Sequence, residues 1–83
     1  LYPNYPNPFN PLTNIKYSIP ENIFVNISVF NIRGRKVKEL LNGYQHKGIY
    51  SIQWNANNYS SGIYFVNIRT KNFNKTQKIT LIK

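Results

Sequence analysis

Apolar and polar residues alternate with period two through most of the chain, the pattern of strands that bury one face. Ile15-Lys16-Tyr17-Ser18-Ile19 alternates cleanly and stops at Pro20. Val25, Ile27 and Val29 then put β-branched side chains on one face, with Phe24 and Phe30 flanking, and Asn31-Ile32-Arg33-Gly34 follows as a turn whose glycine can take positive φ. A third strand is expected over 35–41. Asn42-Gly43 reads as a turn dipeptide opening a loop that runs to Gly48. Tyr50, Ile52 and Trp54 share the next inward face, 55–62 is too polar and turn-rich for anything but a loop, and 63–68 is the most apolar strand. A basic, Asn-rich turn over 71–75 leads to the last strand, 76–82. No segment has helical periodicity. The spacing of these strands, about 8 to 12 residues, predicts an all-β, Ig-like antiparallel β-sandwich of about seven short strands. Six of them come from the alternation, and a seventh would be added if the opening ribbon pairs at an edge.

That ribbon is Leu1-Tyr2-Pro3-Asn4-Tyr5-Pro6-Asn7-Pro8-Phe9-Asn10-Pro11. Each proline fixes φ, lacks an N–H and drives its predecessor into the extended region, so the segment suits neither a helix nor a central strand. Much of its conformational entropy is removed before it meets a surface. Residues 1–14 are expected to be an extended lead-in that docks on the sandwich, and 15–83 the sandwich itself, the whole making one domain. The spacings Pro3 to Pro6 and Pro8 to Pro11 also fit a polyproline ligand, a common pattern, or a linker to a parent chain.

At 83 residues the chain is near the lower limit for folding alone, so its core has little reserve. It has no cysteine and no methionine and begins at Leu1, which is expected of a domain taken from a longer polypeptide, with any Sec-type export signal upstream. No apolar run approaches the roughly 18 to 20 residues that span a bilayer as a helix. Eleven basic residues stand against Glu21 and Glu39, a formal charge of +9. Such a field draws anionic partners. The basic residues are scattered and no helix-turn-helix, zinc-finger or RNP pattern is present, which argues against nucleic acid.

Catalytic chemistry finds little to work with. Paired-carboxylate catalysis would need Glu21 and Glu39, one beside a proline turn and the other in a basic strand. His46 lies in a polar loop with no carboxylate near in sequence to orient it. No cofactor, metal or catalytic residue is assigned, and the chain is expected not to be an enzyme. Asn-x-Ser/Thr triplets at Asn26, Asn58 and Asn74 are what fourteen asparagines produce by chance.

The strings Tyr5-Pro6-Asn7-Pro8-Phe9-Asn10-Pro11-Leu12-Thr13-Asn14-Ile15, Val29-Phe30-Asn31-Ile32-Arg33-Gly34-Arg35-Lys36-Val37, Gly48 to Trp54, Ser61-Gly62-Ile63-Tyr64-Phe65 and Lys78-Ile79-Thr80-Leu81-Ile82-Lys83 occur in that order along the whole chain. Together they resemble the type A C-terminal sorting domain of the type IX (Por) secretion system, and look like the related Ig-like module of flagellar hook-capping proteins. The resemblance implies a seven-stranded Ig-like sandwich that acts as a secretion address. Its carrier would pass through the periplasm to the outer membrane, the cell surface or the medium. The implied partners are the translocon, an outer-membrane β-barrel shuttle, a sortase-like peptidase that usually removes the domain, and anionic lipopolysaccharide. Partner recognition would fall on Tyr5, Pro6, Asn7, Pro8, Phe9 and Asn10 as docking element, Gly34 and Arg35 in a turn, Gly62 and Tyr64 at the late hairpin, and Lys78 with Lys83 as terminal basic motif. The departure is Asn31, where the family commonly carries Asp; an Asn can close a similar Asx turn. Two rivals stay open: a self-associating Ig-like module of an appendage or filament, and a carbohydrate- or polyanion-binding accessory module using Tyr44, Tyr50, Tyr59 and Trp54.

Overall fold

Alternation becomes packing most directly in the first strand, where Thr13, Ile15, Tyr17 and Ile19 are buried and the residues between them exposed. The computed structural model describes residues 1–2 and 11–82. Its strands are β1 (Leu12–Ile19), β2 (Ile23–Asn31), β3 (Lys36–Gln45), β4 (Gly48–Asn55), β5 (Gly62–Arg69) and β6 (Asn74–Leu81). β1 and β4 pair antiparallel as a two-stranded sheet, and β3-β2-β5-β6 form a four-stranded antiparallel sheet. The fold is an all-β, Ig-like sandwich with no helix among the described residues.

The inward faces meet in one apolar core. β1 supplies Ile15, Tyr17 and Ile19, β2 supplies Ile23, Val25, Ile27 and Val29, β4 supplies Trp54, β5 supplies Tyr64, Val66 and Ile68, and β6 supplies Ile79 and Leu81. Ile52 and Tyr50 of β4 and Leu40 and Leu41 of β3 pack against its rim. Trp54, only 2 % exposed, is the largest side chain in it. The Tyr17 ring stacks on Tyr50 with centroids 5.5 Å apart, and its hydroxyl donates to Gln45 Oε1 at 2.8 Å, which ties β1 to the far end of β3.

Two expectations about boundaries change. β1 starts at Leu12 rather than Ile15, because Leu12, Thr13 and Asn14 pair with Asn55, Trp54 and Gln53 and bury Thr13. Asn42-Gly43 is not a turn: both residues lie inside β3, opposite Asn26 and Val25. The long β2 decides this. Ile23 and Val25 are buried only if β3 continues alongside them to Gln45, and the burial of that pair outweighs a local turn preference. The chain instead changes sheets at His46-Lys47, where the Lys47 N–H donates to Asn22 Oδ1 at 2.8 Å. β3 carries register shifts opposite Ile27/Ser28 and Val29/Phe30, which break its alternation. The expected docking of the ribbon falls on 3–10, outside the described residues.

Candidate functional site

One end of the sandwich gathers several of the residues singled out from the sequence. The β2–β3 turn is held by Asn31. Its N–H donates to the Arg35 carbonyl at 2.9 Å, and its own carbonyl accepts from the Gly34 N–H at 2.9 Å. Its side-chain Oδ1 accepts from the N–H groups of both Arg33 and Arg35, each at 3.0 Å. Gly34 closes the hairpin at φ +81°, left-handed backbone that a side chain disfavours. All the short-range bonding is done by backbone and Asn31. The side chains of Ile32, Arg33 and Arg35 are therefore left pointing into solvent, with Ile32 70 % exposed.

Facing this turn is the β4–β5 loop, 56–61. Its shape is set by hydroxyl groups: Tyr59 donates to the Val37 carbonyl at 2.9 Å and Tyr64 to the Ser60 carbonyl at 2.7 Å. The rings of Trp54, Tyr59 and Tyr64 form a cluster, with centroids 5.4 Å apart for Trp54 to each tyrosine and 6.3 Å between the tyrosines. Turn and loop enclose an open concavity of about 460 Å³, lined by Asn31, Ile32 and Arg33 on one side and Tyr59, Ser61 and Gly62 on the other. Gly62, at φ +151°, starts β5 directly opposite Leu81.

Among the recognition candidates, Gly34 and Arg35 lie in this turn, and Gly62 and Tyr64 line the concavity. Tyr64 does so from within the core, since its ring is buried against Trp54. Lys78 is elsewhere, exposed on β6 opposite Phe65. Tyr5, Pro6, Asn7, Pro8, Phe9, Asn10 and Lys83 lie outside the described residues. The sequence reading passed over Ile32, whose signal was an aliphatic residue placed inside a polar turn.

The remaining candidates separate. Glu21 accepts from Asn72 Nδ2 at 2.8 Å, joining two loops, while Glu39 of β3 accepts from Asn26 Nδ2 of β2 at 3.1 Å and faces Lys36 Nζ at 3.5 Å, so the two carboxylates have separate partners. No group of His, Asp and Glu able to hold a metal occurs among the described residues. Of the aromatics considered for carbohydrate binding, Trp54 is core and Tyr50 and Tyr59 are half-buried. Tyr44 is exposed beside Phe24, over a second concavity of about 640 Å³ on the outer face of the larger sheet.

A family model described as a secretion system C-terminal sorting domain matches residues 3–83. No curated protein and no solved structure matches the chain. The family is one of sorting signals and not of enzymes, and its place in type IX secretion implies engagement with the secretion machinery and export to the outer membrane, the cell surface or the medium. With a match over nearly all its length, on a two-sheet β-sandwich, the chain belongs to the secretion system C-terminal sorting domains and is a sorting signal for type IX secretion.

Proposed function

We propose that the machinery reads this domain at the end of the sandwich where the β2–β3 turn meets the β4–β5 loop, together with the ribbon of residues 5–10. The observation that carries the reading is the Asn31 turn. It is fixed entirely by backbone groups and one amide oxygen, so Ile32, Arg33 and Arg35 are held outward at little ordering cost on binding. Two guanidinium groups beside an exposed aliphatic residue suit a partner surface that is acidic with an apolar spot, and the overall +9 charge speeds the encounter. Gly62 and Tyr64 act through the loop they shape. Lys78, exposed on β6 opposite Phe65, and Lys83 add basic contacts.

In this reading the domain is met in the periplasm by the translocon and handed to an outer-membrane β-barrel shuttle. A sortase-like peptidase then removes it, and anionic lipopolysaccharide can replace it on the cargo. The ribbon is a stiff docking element because its prolines remove entropy that binding would otherwise have to remove.

The test fuses the chain to a secreted reporter in a type IX-competent host. Arg33→Glu with Arg35→Glu leaves every turn hydrogen bond in place, because the turn uses only the backbone groups of these residues. Replacing Pro6-Asn7-Pro8 with Gly-Ser-Gly loosens the ribbon and spares the core. Each variant should melt close to the parent domain, yet leave the reporter in the periplasm. Surface delivery equal to the parent in both would remove the recognition role from this end.

A further inference from the structure

The sandwich has four strand edges that no other strand pairs with among the described residues: β1 and β4 in the small sheet, β3 and β6 in the large one. An open edge is a template for another strand, and natural proteins block it with charge, proline, bulges or a cover. Three of these edges are blocked. β3 carries Lys36, Lys38 and Glu39 and two register shifts. β6 carries Lys75 and Lys78. β1 carries Lys16, and the Tyr2 N–H already donates to the Lys16 carbonyl at 3.0 Å, with the Tyr2 ring under the Lys16 ammonium at 5.5 Å.

Among the described residues β4 has none of these defences. Gly-Ile-Tyr-Ser-Ile-Gln-Trp-Asn contains no charge, no proline and no register shift against its partner. Its hydrogen-bonding parity can be worked out from β1. The Lys16 carbonyl is turned outward to Tyr2, so Lys16 and Ser51 form a non-hydrogen-bonded pair. By alternation, the N–H and C=O groups of Ile49, Ser51 and Gln53 face away from β1, toward the open side. The Ala56 N–H donating to the Pro11 carbonyl at 2.9 Å fixes the same parity at the other end of the pair. Ile49, 65 % exposed, adds an apolar side chain beside that row.

The geometry points to the free edge of β4 as a strand-addition site for an acidic extended segment of a partner protein. The choice of occupant follows from charge. Lys47 immediately precedes β4 and Lys16 stands across from Ser51, on a body of net charge +9, so a strand bearing Asp or Glu is attracted where a second copy of this chain is repelled. Main-chain bonds to Ile49, Ser51 and Gln53 give affinity, and the acidic side chains select the partner. The inference rests on the sorting reading in one respect: the partner is taken to belong to the secretion machinery.

Amide exchange and export test it together. The domain is mixed with a strand-length peptide alternating Val with Glu, or with its counterpart alternating Val with Lys. Protection of the Ile49, Ser51 and Gln53 amides by the acidic peptide alone is the expected result; no protection, or equal protection by both, overturns the proposal. In the reporter fusion, Ser51→Pro removes one outward donor, and the pair Ile49→Glu, Gln53→Glu sets carboxylates beside that row, which repel an acidic strand without touching the backbone. Both should export at the level of a reporter lacking the domain. If Ser51→Pro does not fold, the glutamate pair decides. A parent fusion that is exported while the folded glutamate pair is exported equally well sinks the edge proposal and leaves the sorting reading intact. A parent fusion that is never exported sinks the sorting reading, while the peptide result stands by itself. A dimer of the parent domain alone that protects the Ile49, Ser51 and Gln53 amides assigns the edge to a second copy and overturns the acidic occupant.

Discussion

At the residue scale, the departure at Asn31 loses its importance once the turn is seen. What the turn uses is an acceptor oxygen reaching two N–H groups, which Asn and Asp both supply. Asn31→Asp should therefore match or exceed the parent in urea midpoint, whereas Asn31→Ala should lose about 1 to 2 kcal/mol. An Asp variant as unstable as the Ala variant would mean the hydrogen bonds are not what holds the turn. Tyr17 carries a second residue-level consequence. Burial lifts its phenol above the ordinary tyrosine value of 10.0, only partly offset by its hydrogen bond to Gln45, and the nearby Tyr50 raises it further. The unfolded chain, with its lower pKa, gives up this proton first as pH rises, so alkali favours unfolding. The neutral phenol's contribution is whole below pH about 10 and is lost as pH climbs through the folded value. The melting temperature should thus fall above pH about 10, and Tyr17→Phe should flatten that fall relative to its own neutral-pH value. An alkaline limb of the same steepness in Tyr17→Phe would exclude Tyr17 as its source.

Elements whose partners were strands of clean alternation were legible in the sequence, and those set by distant pairing were not. The inward faces of β1, β2, β4 and β5 follow from period two, because each residue's burial is decided by the strand's own alternation. β3 runs past the end its local pattern predicts, since Asn42-Gly43 carries a strong local turn signal and only the length of β2 reveals that the strand must continue past it. The assembly of this candidate end was partly legible: the Gly34 turn and the polar loop before Gly62 could be named, but not that they face each other across one concavity. That proximity arises from the pairing of β2 with β5, which sets Asn31 opposite Tyr64. The β3 correction carries its own prediction. Gly43 has ordinary strand backbone, and an added Cβ would meet no atom within 4 Å. Gly43→Ala should then raise stability by about 0.5 to 1 kcal/mol through the unfolded chain's lost freedom. A drop in denaturant midpoint of that size would restore the turn.

For the whole molecule the dominant feature is charge imbalance. Nine net positive charges sit on 83 residues, and the ion pair found among the described residues is Lys36 with Glu39, three residues apart on β3 with both side chains exposed. An exposed pair of this kind contributes at most about 1 kcal/mol. Folding brings the remaining cations closer together than they are in the extended chain, so their mutual repulsion opposes the compact state. Salt screens that repulsion over a Debye length of about 30 Å at 0.01 M and about 8 Å at 0.15 M, which lie on either side of the 12.4 Å radius of gyration. Stability should therefore rise steeply over this range and level off beyond it, the reverse of a protein held by surface ion pairs. Sodium chloride and a non-binding salt should act alike if screening is the cause. Sulfate going well beyond both at equal ionic strength would instead indicate bound anions, and a melting temperature that falls on adding salt would show that attractive pairs outweigh the repulsion. The same field suits the proposed recognition, because net positive charge opposes the association of like copies while it attracts an acidic surface.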